Sequence, residues 1–112
     1  MELAVNKIGE VNVAEVLVDE LDAANAPDFK RDITPVVQTN TKLVLDLSRL
    51  RFVDSSGLGA ILSCLRQVCA KGGDMKLCCV SKQVGVSFDL VRMHRIFDIY
   101  PTREDAVSAF QP

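Results

Sequence analysis

The chain has 112 residues, 48% of them apolar, and a formal net charge of −2. That length suits one domain with a real core and is short for two. The balance of charge argues against direct nucleic-acid binding, which needs a basic surface, and no uninterrupted apolar run is long enough to span a bilayer.

Leu3 to Ile8 reads as a short strand. Val11, Val13, Val16 and Val18 mark a second strand, joined as a hairpin through Gly9-Glu10. Leu21-Asp22-Ala23-Ala24 reads as a loop, and Asn25 as the N-cap of a helix with Pro27 in its first turn, where proline is tolerated. Phe29, Ile33, Val36 and Val37 give this helix an apolar face. Pro35 lies inside the pattern and predicts a kink or a shortened helix, because it removes one hydrogen bond and crowds the preceding turn. Lys42 to Leu47 is a buried strand. The clearest helix runs from Leu58 to Lys71, with Leu58, Ile61, Leu62, Leu65, Val68 and Cys69 at helical spacing and Ser63, Arg66, Gln67 and Lys71 opposite. Gly72-Gly73 ends it. Met75 to Val80 is the next strand, Lys82 to about Met93 a third helix, and Ile96 to Tyr100 a last strand. Thr102-Arg103-Glu104-Asp105 opens a terminal helix with a capping pattern.

The order β-β-α-β-α-β-α-β-α predicts a single α/β domain over residues 1–112: a mixed, mostly parallel β-sheet covered by about four helices, with an antiparallel hairpin at its start. Met1-Glu2-Leu3-Ala4 has no basic stretch leading into an apolar one, so no signal peptide is expected. Cys64, Cys69, Cys78 and Cys79 lack a C-x-x-C spacing, and His94 is the only histidine. Reduced core thiols of a cytoplasmic protein are the expectation, with no metal site.

Asp54-Ser55-Ser56-Gly57-Leu58-Gly59 carries most of the functional information. Two hydroxyls follow an acid just ahead of a helix, whose first backbone N–H groups are unpaired and attract negative charge. A serine there can cap the helix, hold a phosphate, or both. Capping alone is a common use and contributes about 1 kcal/mol. Gly57 and Gly59 each cost a helix up to about 1 kcal/mol relative to alanine, so a close backbone approach is expected at both. Leu58 lies between them, on the core face by helical period.

No catalytic residues are expected. A nucleophile elbow needs Gly-x-Ser-x-Gly, and neither serine has a glycine two residues before it. His94, the only candidate histidine base, sits in the basic turn Arg92-Met93-His94-Arg95. No lysine follows a glycine-rich run as in a phosphate loop. Asp46 at a strand end resembles a receiver aspartate, but no acidic pair follows the first strand to hold magnesium. A small α/β enzyme or an anion- or ligand-binding domain using the helix start at residues 54–59 is the alternative in a different class.

Leu43-Val44-Leu45-Asp46-Leu47-Ser48 followed by Phe52-Val53-Asp54-Ser55-Ser56-Gly57-Leu58-Gly59 resembles the core signature of STAS domains, closest to bacterial anti-sigma factor antagonists. Glu20-Leu21-Asp22 matches a second signature, with Asp19 where the family usually has glycine. Gly72-Gly73-Asp74-Met75-Lys76-Leu77 resembles the strand entry after the family's second helix. The resemblance implies a partner switch that needs no cofactor. The unphosphorylated antagonist binds an anti-sigma factor that is also a serine kinase, phosphorylation releases it, and a serine phosphatase restores the cycle. By motif position the phosphoacceptor is Ser55, and Asp22, Asp54, Ser56, Gly57, Leu58 and Gly59 form the partner-binding surface. If Ser56 caps the helix, its oxygen is committed to the backbone and Ser55 is the freer hydroxyl.

Overall fold

The computed structural model describes residues 3–110. In chain order its elements are β1 (Leu3–Ile8), β2 (Val11–Val16), β3 (Glu20–Leu21), α1 (Ala26–Thr39), β4 (Lys42–Asp46), β5 (Phe52–Val53), α2 (Ser55–Ala70), β6 (Asp74–Cys78), α3 (Lys82–Leu90), β7 (Asp98–Tyr100) and α4 (Arg103–Ser108). A 3-10 turn, Met93–Arg95, precedes β7. The main sheet runs β1-β2-β4-β6-β7, with β1 antiparallel to β2 and every other pair parallel. This is the expected mixed, mostly parallel sheet with four helices.

The run Leu43-Val44-Leu45 is apolar without interruption because both faces of β4 are covered. Leu43 and Leu45 join the core beneath α1, α2 and α3, with Phe29, Ile33, Ile61, Cys64 and Phe88. Val44 belongs to a second cluster on the other face, with Val11, Val13, Cys78, and Ala106 and Val107 of α4. Burying such side chains stabilises a fold by about 1.5–3 kcal/mol each before the cost of ordering the chain.

Several boundaries differ from expectation for identifiable reasons. β3 and β5 form a two-stranded parallel ribbon of their own. Strands of two residues carry no periodicity, so Leu21 reads as loop in the sequence. Pro35 neither shortens nor ends α1, which is continuous from Ala26 to Thr39. Pro35 is exposed, as is Arg31, whose carbonyl loses its usual partner and faces water. Asn25 precedes α1 without a side-chain capping bond; its Oδ1 accepts from the Asp22 N–H at 2.9 Å and its Nδ2 donates to Glu20 O at 2.8 Å. α3 stops at Leu90 because Arg92 adopts left-handed backbone, φ 57°, before the 3-10 turn. Thr102 caps α4 as expected, accepting from the Asp105 N–H at 3.1 Å.

α2 buries a different stripe from the one the leucines suggest. Gly57, Ala60, Ile61, Cys64 and Val68 are buried, whereas Leu58, Leu62 and Leu65 are half-buried and Cys69 is exposed. Small residues on the inner stripe let α2 lie close to its neighbours, and the leucines pack along its flanks. Gly72, φ 78°, follows in the left-handed conformation that ends the helix; its N–H donates to Cys69 O at 2.9 Å. Of the four cysteines, Cys64 and Cys78 are buried, Cys79 is half-buried and Cys69 exposed, so only two are fully core thiols. Burial pushes the Cys64 thiol up to about 12, which makes it unreactive.

Candidate functional site at the start of the second helix

The short β3–β5 ribbon builds the site. Its pairing, Glu20 with Phe52 and Leu21 with Val53, brings Asp22 beside Asp54. The Asp54 N–H then donates to Leu21 O at 3.2 Å. Asp19, in the place of the family's usual glycine, enters the ribbon through its carbonyl, which accepts from Arg51 N at 2.7 Å and Phe52 N at 3.1 Å. Its backbone is not left-handed, so glycine is not required there.

Asp54 is the N-cap of α2, with extended backbone at φ −99° and ψ −174°. One carboxylate oxygen accepts from the Gly57 N–H at 2.9 Å, and the other from the Ala23 N–H at 3.1 Å. A single side chain therefore caps the helix and ties down the loop that carries Asp22. Asp22 is half-buried; its Oδ1 accepts from Ala24 N at 3.0 Å and its carbonyl accepts from Ala26 N at 2.8 Å. Both acids thus stand beside the start of α2, with backbone amides holding them.

Neither serine caps the helix, so the condition that would have committed the Ser56 oxygen to the backbone is not met. Asp54 occupies the cap position, and α2 starts at Ser55 rather than at Leu58. The apolar period begins three residues inside the helix and so does not mark its start. Ser55 and Ser56 are both exposed, and among the described residues neither hydroxyl has a hydrogen-bond partner. Capping therefore does not separate the two.

Their surroundings do. Ser55 lies on the rim of an apolar recess of about 250 Å³, formed with Leu58, Leu62, Val91, Met93 and Ile96. Ser56 borders a different recess of about 360 Å³, with Ala23, Ala26, Pro27 and Lys30. Neither recess is lined by a histidine. Lys30, Val91, Met93 and Ile96 were not legible as site residues, because they lie far from the motif in sequence and carry no local signal. Near the recess in sequence, Leu90 is 81% exposed, and Val86, Val91 and Ile96 are exposed as well, interspersed with the exposed Asp89, Arg92, His94 and Arg95.

Gly57 and Gly59 have different reasons. A Cβ on Gly57 would stand 2.3 Å from Leu21 O and 2.6 Å from a Val53 methyl, so the ribbon packs directly on the helix backbone. A Cβ on Gly59 would meet nothing within 4 Å, which corrects the expected close approach there. Gly57→Ala should therefore cost at least about 1–3 kcal/mol in urea melts, because backbone cannot move aside as a flexible side chain can. Gly59→Ala should be neutral or stabilise by up to about 1 kcal/mol. Equal effects of the two substitutions would mean that the ribbon does not rest on α2.

The family model described as STAS domain matches residues 5–106. An anti-sigma F factor antagonist from Paenibacillus polymyxa is 36% identical over 97 residues, covering 85% of this chain and 83% of that protein. The crystal structure of an anti-sigma factor antagonist from Mycobacterium paratuberculosis superposes with a TM-score of 0.88 at 26% identity, over 99% of this chain and 94% of that one. The anti-sigma factor antagonist SpoIIAA shares the fold at 22% identity, with TM-scores of 0.78 to its unphosphorylated form and 0.72 to the Bacillus protein in its phosphorylated form; the coverage is 96% and 98% of this chain, and 95% and 100% of those chains. No described helix is long and apolar enough to cross a membrane. By the match along nearly all of its length, and by the fold that presents Asp54-Ser55-Ser56-Gly57 at a helix start, the chain belongs to the STAS domain family, among the bacterial anti-sigma factor antagonists.

Proposed function

We propose that this antagonist is the phosphorylatable member of a cytoplasmic partner switch, with Ser55 as the acceptor. Unphosphorylated, it binds an anti-sigma factor that is also a serine kinase, and so frees a sigma factor. Phosphate on Ser55 releases the kinase, and a serine phosphatase restores the cycle. Asp22, Asp54, Ser56, Gly57, Leu58 and Gly59 form the contact surface around the acceptor. The protein is a binding module and a kinase substrate, with no catalytic chemistry of its own.

The observation that carries this reading is the setting of Ser55. Its hydroxyl is exposed, unpaired and fixed on the first turn of a 16-residue helix, at the rim of an apolar recess. A kinase active site can engage such a hydroxyl without unfolding anything, while apolar groups of the kinase fill the recess. The Asp54 carboxylate is committed to two backbone amides and no histidine lines the recess, so activation of the hydroxyl falls to the kinase. The relatives named as anti-sigma factor antagonists and the phosphorylated form of SpoIIAA support the reading.

The test is phosphorylation by the cognate kinase with ATP, read by intact mass. Ser55→Ala should take up no phosphate, keep its fold because Asp54 still caps α2, and bind the kinase constitutively. Ser56→Ala should still be modified. The reverse pattern would move the acceptor to Ser56. Phosphate uptake by neither wild type nor Ser56→Ala would reject phosphorylation at this helix start.

A further inference from the structure

Cys78 and Cys79 lie at the C-terminal end of β6, and both pack in the cluster on the α4 side of the sheet, away from the core that α2 covers. Adjacent residues of a regular strand point to opposite faces. Here they share a face because Cys79 leaves the strand with left-handed backbone, φ 61°. That conformation is disfavoured for any residue with a Cβ, and strained backbone of this kind concentrates at functional sites. Hydrogen bonding from Cys79 N to Tyr100 O at 3.1 Å holds it.

The turn brings the two thiols together, their Sγ atoms within 4.8 Å of one another. Asp46 stands opposite Cys78 across the β4–β6 pair and is 3% exposed. The two Sγ atoms and a carboxylate oxygen of Asp46 all lie within 4.8 Å of one another. Two sulfurs sharing one tetrahedral zinc, at about 2.3 Å each, stand roughly 4 Å apart. The donors thus need only small side-chain adjustments to meet at one point.

We propose that Cys78, Cys79 and Asp46 form a binding site for a thiophilic divalent cation of the zinc class, with its fourth position open on the half-buried Cys79 side. The donor set of two sulfurs and one oxygen suits such an ion. On loading, each S–H bond breaks, an S–metal bond replaces it, and two protons leave to solvent per ion. Two thiolates and a carboxylate balance the dication together with the Arg103 guanidinium, which already lies 2.7 Å from Asp46. Arg103 also reaches Glu15 at 3.2 Å, so it keeps a carboxylate partner when an Asp46 lone pair turns to the ion. Two cysteines adjacent in sequence give no recognisable ligand spacing, which is why the sequence argues against a metal.

The full-length reduced protein should be titrated with cadmium alone, following the ultraviolet charge-transfer absorption of thiolate–cadmium bonds, and then with zinc as competitor. Wild type and Cys69→Ser should each bind one cadmium, which zinc displaces. Cys79→Gly is the informative variant, since glycine accepts the left-handed backbone and the fold keeps its turn. Its cadmium affinity should fall by more than the roughly 10–100-fold that loss of an outer-sphere partner causes. An unchanged stoichiometric band in Cys79→Gly, or no stoichiometric band in Cys69→Ser, would overturn the assignment.

Discussion

Phosphate on Ser55 should weaken binding to the kinase partner at least about a hundredfold, or about 2.8 kcal/mol, without refolding the domain. Phosphorylation adds about −1.5 to −2 charges, while a helix N-terminus is equivalent to only about +0.5. The excess negative charge sits beside Asp54 and Asp22, whose carboxylates are held in place by backbone amides. It also sits on the rim of the apolar recess that Leu58, Leu62, Val91, Met93 and Ile96 line. A partner closing on that recess would have to strip water from the phosphate, and desolvating or crowding like charges costs several kcal/mol. The helix start itself needs no rearrangement: the Gly57 N–H stays with Asp54, while among the described residues the Ser55 and Ser56 N–H groups have no hydrogen-bond partner and can face an anion. Calorimetry with the purified kinase should show the loss, and Ser55→Asp, with one charge and less bulk, should reproduce part of it. Amide shifts should change near residues 22–25 and 54–60 only. Shifts spread through β2, β4 and β6 would mean a conformational switch, and an unchanged Kd would end the partner-switching account.

Much of this architecture is legible in the sequence, and the exceptions have a common cause. The helices and the strands of the main sheet declare themselves because their apolar periods extend over several residues. What period-reading misses is built from short or irregular backbone. The β3–β5 ribbon has two residues per strand, yet it brings Asp22 beside the Asp54-Ser55-Ser56 run. The start of α2 is misplaced because Asp54, Ser55 and Ser56 carry no apolar signal, and a polar N-terminal turn reads as loop. The motif marks this helix start while hiding which side chain caps it. The apolar wall that the turn after α3 adds comes from residues more than thirty positions away, and only the folded chain reveals it.

Arg103→Ala should destabilise the domain by about 3–5 kcal/mol, the typical cost of leaving one member of a buried ion pair unpaired. Arg103 opens α4 and donates through Nε at 3.0 Å and Nη2 at 2.7 Å to the same oxygen of Asp46. It therefore fastens α4 to the centre of the sheet through a carboxylate that water barely reaches. Burial pushes the Asp46 carboxyl up, but the hydrogen bonds from Arg103 and Ser48 outweigh it, and the group lies below its ordinary value of 3.8. A depressed carboxyl stabilises the fold above its unfolded-state pKa and ceases to do so as pH falls through the folded-state value. In the variant the Ser48 N–H remains at 2.9 Å, but burial acts without the guanidinium, so Asp46 should titrate above the ordinary value. The sign then reverses: the variant regains stability as acid protonates Asp46. Urea melts should show the gap between wild type and Arg103→Ala narrowing from about pH 7 towards pH 4, across the range in which a raised carboxyl takes up its proton. A gap independent of pH would show that Arg103 acts through packing rather than through Asp46. Arg103→Lys keeps the charge without the two-pronged geometry, and should recover only part of the loss.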